Sequence, residues 1–213
     1  MTHKRDNLTI VYLLTSVYSG IVDVRTDRRV LRSRAALMDA AVRLVSERGV
    51  SPLSVTDLAE AANVSRQLVY LQFGDRDALL IAAAANLVER ELLPEISDPR
   101  EPHRERLLAT VRHFASHRSF YRAMLTGPCA YPMTRTLNDL FSSLVSPAGM
   151  REAFGEFDDD TTARDITAVI VGGTASIVND WLIDSNNRLD AAEANELAER
   201  ILHVSAIIVA GLR

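Results

Sequence analysis

From about position 31 onward, apolar residues recur every three or four positions, the spacing of one face of an α-helix, while strand-like alternation never persists beyond a few residues. The pattern predicts an all-α chain. A first helix over 31–48 places Leu37, Ala41, Leu44 and Val45 on one face and stops at Gly49. Ser54 is placed to cap a short second helix, with Asp57 three residues later as capping-box partner and Leu58 and Ala61 turned inward. Asn63, of a residue type that tolerates a left-handed backbone, marks a sharp turn. Ser65 then caps a third helix over 66–73, Gly74 interrupts it, and Asp75 caps a long fourth helix that reaches 93 ahead of Pro94. Two short helices about a three-residue turn make a helix-turn-helix.

Beyond Pro94 the polar stretch 97–102 reads as a loop, and helical patterns resume at 103–117, 119–125 and 133–145. Residues 146–160, with Pro147, Gly149, Gly155 and three consecutive aspartates, form a second loop candidate. Two long apolar helices, 161–184 and 191–212, finish the chain. The reading therefore divides the chain into an extension over 1–29, a helix-turn-helix domain over 30–80 and a larger helical domain over 81–213.

Composition narrows the function. In 213 residues, 47% hydrophobic and 24% charged positions exclude a collagen-like, mucin-like or wholly disordered chain. The single cysteine, Cys129, excludes an internal disulfide framework and fits a reducing cytoplasm. The net charge of −4 conceals a division: residues 25–76 hold nine arginines against six acids, a net of +3, so the remainder carries −7. A basic segment on an acidic body is expected where one part meets phosphate and the other does not. Arg25, Arg28, Arg29, Arg32 and Arg34 fit either an arm that tracks a nucleic-acid backbone or a solvated helix start. Upstream, the apolar run 8–22 behind His3, Lys4 and Arg5 has the length of a signal-peptide core but is short for a membrane span. The intracellular character of residues 30–213 favours an extension packed on the body, or sequence upstream of the true start.

A helix entering the DNA major groove reads base edges with a few side chains near its N-terminus, while neighbouring donors hold phosphates. The third helix offers such groups. Arg66 can donate twice to guanine, Gln67 can pair with adenine and Leu68 can meet a thymine methyl. Leu68 or Leu71 can instead be core, yet Val64, Val69 and Phe73 already supply an inward stripe.

Residues 37–80 resemble the TetR family of bacterial transcription regulators. The resemblance lies in Ala40-Ala41-x-x-Leu44 before Gly49, in Ser54-Val55-x-Asp57-Leu58-Ala59-x-Ala61-Ala62-x-Val64-Ser65, and in Val69-Tyr70-x-x-Phe73-x-x-Arg76-x-Ala78-Leu79. Gly172-Gly173 and Trp181 echo it weakly in the body. It implies base contacts from Arg66, Gln67, Leu68, Leu71 and Gln72, phosphate contacts from Tyr70 and Arg76, and a DNA-facing surface that includes Ser54 and Ser65. Asn63 stands where the family usually has glycine, Arg76 where it has lysine, Leu68 where small or hydroxylated residues are commoner, and Gln72 where histidine is frequent. These departures bear on which operator is read.

For the acidic body, the resemblance implies a small-molecule pocket and a dimer interface. Ile166, Ile170, Gly173 and Ile177 on one terminal helix, with Leu197, Ile201, Val204 and Ile208 on the other, supply a continuous apolar face. Helices apolar over so much of their circumference need partners on two sides, as a two-fold four-helix interface provides. The pocket candidates are His113, Phe114, His117, Tyr121, Met124, Tyr131 and Trp181, facing an apolar or aromatic effector, although core packing explains each of them as well. His113 and His117, four apart, can also share a metal, giving a metal-sensing alternative. With no cysteine or carboxylate ligand near them in sequence, they read as pocket or surface histidines, and no metal or cofactor is expected.

Glycine-rich phosphate loops, HExxH and nucleophile motifs are lacking, which argues against an enzyme. The expectation is a cytoplasmic homodimeric regulator, a repressor released from double-stranded operator DNA by a small effector, with no membrane partner. A helical ligand-binding protein without DNA-regulatory activity is the alternative.

Overall fold

Ser54, Ser65, Asp75, Asp159 and Asp190 cap the starts of five helices, and Gly49 and Gly74 each end one. The computed structural model describes residues 24–50, 52–98, 100–145, 159–184 and 190–211, which are helices joined by turns with no strand among them. The expected extension up to residue 23, including the run 8–22, and residues 146–158 of the second expected loop lie outside the described residues.

Helix α1 (Val24–Arg48) begins seven residues earlier than the apolar pattern indicates, because arginine is a good helix former even where no apolar stripe accompanies it. It passes from one compact unit, Met1–Ala36, into a second, Leu37–Arg213. In the first unit Arg28, Arg29 and Arg32 are exposed, Arg32 Nε donates to the Arg28 carbonyl and Ser33 Oγ to that of Arg29. In the second unit Leu37, Ala41, Leu44 and Val45 are all buried, the expected inward face. Such burial is worth about 1.5–3 kcal/mol for each leucine. Gly49 closes α1 at φ 78°; a Cβ there would touch nothing, so the left-handed backbone is what requires glycine.

Helices α2 (Val55–Ala61), α3 (Arg66–Phe73) and α4 (Arg76–Leu87) come next. The fourth helix does not stop ahead of Pro94. A π-turn, Val88–Leu92, leads into α5 (Leu93–Ile96), with Leu93 N–H bonding back to the Val88 carbonyl. In a regular α-helix the Pro94 ring would collide with the Arg90 carbonyl and leave it unbonded; the wider turn displaces that carbonyl, and Pro94 falls in a first turn where its missing N–H costs nothing.

The body continues with α6 (His103–Ser116), α7 (Arg118–Leu125) and α8 (Ala130–Leu144). Asp159 caps α9 (Asp160–Ile183) by accepting from Thr162 N–H, and Asp190 accepts from Ala192 and Glu193 N–H at the start of α10 (Ala191–Gly211). Helix α10 lies along α6, α9 along α7 and α8, and α4 between α3 and α8. One buried cluster runs from Leu44 and Val69 through Leu79 and Ala83 to Met124, Met133, Val178 and Ile201.

That packing changes the terminal-helix face expected from spacing. Leu197 and Ile201 are 2% and 3% exposed, spent on the chain's own core because α6 covers their side of α10. What stays outside on α10 is Val204, Ile207 and Ile208; on α9, Val169 and Gly173 are exposed while Ile166, Ile170 and Ile177 are half-buried. By length and composition α9 could cross a membrane, and only 17% of its most apolar stretch is buried within the chain.

Candidate functional site

Ser54 and Asp57 form a reciprocal capping box. Asp57 N–H donates to Ser54 Oγ at 3.2 Å and Ser54 N–H to Asp57 Oδ2 at 2.8 Å, with the Ser54 hydroxyl also donating to that carboxylate. Hydrogen bonds from the Ser54 side chain and backbone hold the Asp57 carboxyl below its usual range. Asn63 then turns the chain at φ 54°, and Ser65 Oγ accepts from Leu68 N–H at 3.3 Å to start α3. These local bonds set where α3 begins and which way it faces.

Val69 is fully buried and pins α3, with Val64 and Phe73 packed beside it. The opposite face is open: Arg66 and Gln67 are exposed, Tyr70 is 55% exposed and Leu71 80%. Leu68 and Gln72 are half-buried at the edge of that face, and Ser54 and Ser65 are exposed although their hydroxyls already serve as caps.

Arg76, expected at a phosphate, has partners within the chain. Its Nη1 donates to the Leu53 carbonyl at 3.0 Å, Nε to Asp77 Oδ1 at 2.8 Å, and Nη2 lies 2.7 Å from the same oxygen. The guanidinium braces the start of α4 against the loop before α2. Residues 23 apart in sequence meet here, so no local signal announces the contact.

In the body, the expected pocket residues mostly fill space. Phe114, Tyr121, Met124 and Trp181 are buried, and the Phe114 and Tyr121 rings meet at a tilt of 58° with centroids 4.6 Å apart. Tyr131 is 76% exposed. A cleft of about 520 Å³ opens beside α6, where Glu91, Glu95, Glu101 and Glu105 line it with Arg106, Arg112 and His113. Of the expected pocket residues His113 alone reaches this cleft.

At the end of the cleft, His117 Nε2 lies 2.6 Å from Glu91 Oε2, and His113 Nε2 lies 2.9 Å from the Tyr121 hydroxyl. Burial, then the neighbouring His117, lowers the His113 imidazole to about 4. Burial pushes the Glu91 carboxyl up, but hydrogen bonds from His117 and Arg90 outweigh it and hold the group below its usual range. Sequence reasoning found both histidines and missed Glu91, which the π-turn delivers from another helix. Cys129 is fully buried, and burial pushes its thiol up to about 11, which removes the thiolate that redox chemistry needs.

Comparison with known proteins meets this geometry at the helix-turn-helix. Residues 37–83 match the family model of bacterial regulatory proteins, tetR family. The chain is 35% identical over 81 residues to the HTH-type transcriptional regulator BetI of Brucella canis, a match spanning 37% of this chain and 40% of that relative's length. Among solved structures, the TetR family repressor AlkX from Dietzia sp., implicated in biodegradation of n-alkanes, superposes with a TM-score of 0.52 at 24% identity, over 83% of this chain and 96% of that one. The dihydroxyacetone kinase operon activator DhaS superposes with a TM-score of 0.55 at 15% identity over the same shares. These relatives are regulators rather than enzymes, and the structural likeness extends the shared fold into the body. Over residues 37–83 the chain is similar to the tetR family of bacterial regulatory proteins, and it spans about two fifths of the length of the curated relatives it matches.

Proposed function

We propose that this chain is a homodimeric, effector-responsive repressor that reads a palindromic operator with α3 and works in the cytoplasm. The observation that carries the reading is the outward face of α3, where Arg66, Gln67, Tyr70 and Leu71 stand in solvent on a helix fixed by the Ser65 cap and the buried Val69. Arg66 and Gln67 supply the paired donors and acceptors that guanine and adenine edges require, Leu71 an apolar contact, and Tyr70 a hydroxyl for phosphate.

Dimerisation is supported by the apolar surface left open on two touching helices, Val169 on α9 and Val204, Ile207 and Ile208 on α10. A second copy would cover it isologously and present two copies of α3 to successive major grooves. For the effector, the cleft lined by four glutamates favours a small cation-bearing molecule over the apolar one that the aromatic residues suggest. Such a ligand would release DNA only by preferring a dimer whose recognition helices are wrongly spaced.

Selection of bound fragments from a random DNA pool, with footprinting of the selected sequence, tests the reading. The expected product is an inverted repeat with half-site centres about one helical turn, or a multiple of it, apart. No enrichment over random DNA would overturn it.

A further inference from the structure

We propose that Glu91, His113 and His117 form a binding site for a divalent transition-metal ion, zinc by preference. One ligating atom from each of the three lies within 4.8 Å of the other two. Two imidazoles and a carboxylate form a donor set that zinc accepts with its remaining position open to water or substrate. Ligands about 2.0–2.1 Å from a tetrahedral ion stand roughly 3.3 Å apart, so the 2.6 Å Glu91–His117 pair must open to receive the ion.

Three further features separate this cluster from a chance pairing of polar groups. The Tyr121 hydroxyl, 2.9 Å from His113 Nε2, fixes the orientation of that ring, as the outer partner of a ligating histidine does. His113 is 8% exposed yet borders the acidic cleft, where Glu95, Glu101 and Glu105 would attract a cation and give it an entry path. Glu91 is presented by the π-turn Val88–Leu92, an irregular turn within the long helical run beyond the recognition helix.

An ion held there would fasten the end of that run to the end of α6. The hydrogen bond between His117 and Glu91 would give way to two metal bonds, the bonding proton moving to His117 Nδ1 or to solvent. Metal binding itself needs nothing from the DNA-binding reading; its consequence, an altered DNA affinity as α4 is held in one direction, rests on that reading.

Equilibrium dialysis of the full chain, without a histidine tag, against zinc chloride tests the site. The expected result is one zinc per chain, with affinity lowered at least about tenfold in Glu91→Gln and in His117→Ala, both partly exposed positions, and unchanged in His203→Ala. Absence of saturable binding, or equal affinity in all variants, would overturn it. Cobalt(II) provides a readout on the unaltered chain: intense visible bands from a low-coordinate ion are expected, and the weak spectrum of hexaaqua cobalt would refute the site even if a variant failed to fold. DNA affinity is then measured with and without zinc. A shift of about fivefold or more is expected, no shift with zinc bound would refute the regulatory consequence, and loss of DNA binding in both states would strike the operator reading while leaving the metal site standing.

Discussion

Arg76 Nη1 donates to the Leu53 carbonyl at 3.0 Å, and through this bond the start of α4 holds the loop before α2. The Arg76 side chain is 27% exposed, so water competes only partly for the contact. Arg76→Leu should lower stability by about 1–2 kcal/mol, in the lower range for a hydrogen bond to a charged group. Urea unfolding would measure it, and Arg76→Lys should recover only part of the loss, since one ammonium cannot span both partners. Full stability in Arg76→Leu would mean that the brace carries no weight and the arginine is free for phosphate.

Arg66 opens the exposed face of α3 and has no structural duty there. Replacing it with alanine should weaken operator binding by about 1–3 kcal/mol and relax preference at one base pair in each half-site. Tyr70→Phe should instead weaken binding to every sequence alike. Competition titrations against operator and random DNA separate the two, and parallel losses for Arg66→Ala would assign that arginine to the backbone.

A charge on the open apolar surface tests the dimer. Val169→Glu and Ile208→Glu should each yield folded, helical monomers by light scattering, because those side chains are 65% and 40% exposed within one chain. Ile201→Glu, at 3% exposure, should lose the fold by placing an unpaired charge in the core. Dimers persisting in both surface variants would move the interface elsewhere.

Asn63 holds φ 54° between α2 and α3. Asn63→Gly should be neutral or stabilising, whereas Asn63→Val should cost about 1–2 kcal/mol, because a β-branched apolar side chain lacks the local hydrogen bonding by which asparagine tolerates a left-handed backbone. Thermal unfolding of the pair decides; equal melting temperatures would show that the turn adopts another conformation.

The Cys129 thiol, buried and held at about 11, should resist iodoacetamide at pH 8 in the native chain and react at least about tenfold faster once urea unfolds it. An unfolded thiol ionises near 9 while the folded one keeps its proton to about 11, so this group removes stability as pH rises through that window. Equal labelling rates in both states would place Cys129 at the surface.

Features settled within a few residues were legible in the chain before any packing is considered. Ser54, Asp57, Asn63, Ser65, Gly74 and Asp75 act on backbone groups one to four positions away, so their identities place α2 and α3 without help from distant residues. The exposed face of α3 obeys the same logic, because Val69 claims the inside and Leu71, two positions on, must turn away from it.

Features that depend on residues far apart were fixed only by the packed fold. Spacing puts Leu197 and Ile201 on one stripe with Val204 and Ile208, but it cannot say which part of that stripe α6 will cover. Phe114 and Tyr121 meet inside because packing depends on all neighbouring side chains together, while a cleft lined by glutamates opens on the flank of α6. Glu91 reaches His117, 26 positions away, only because a π-turn redirects the helix that bears it. Helical spacing reports a side chain's own face, and the partner that face will meet is fixed only when the helices pack.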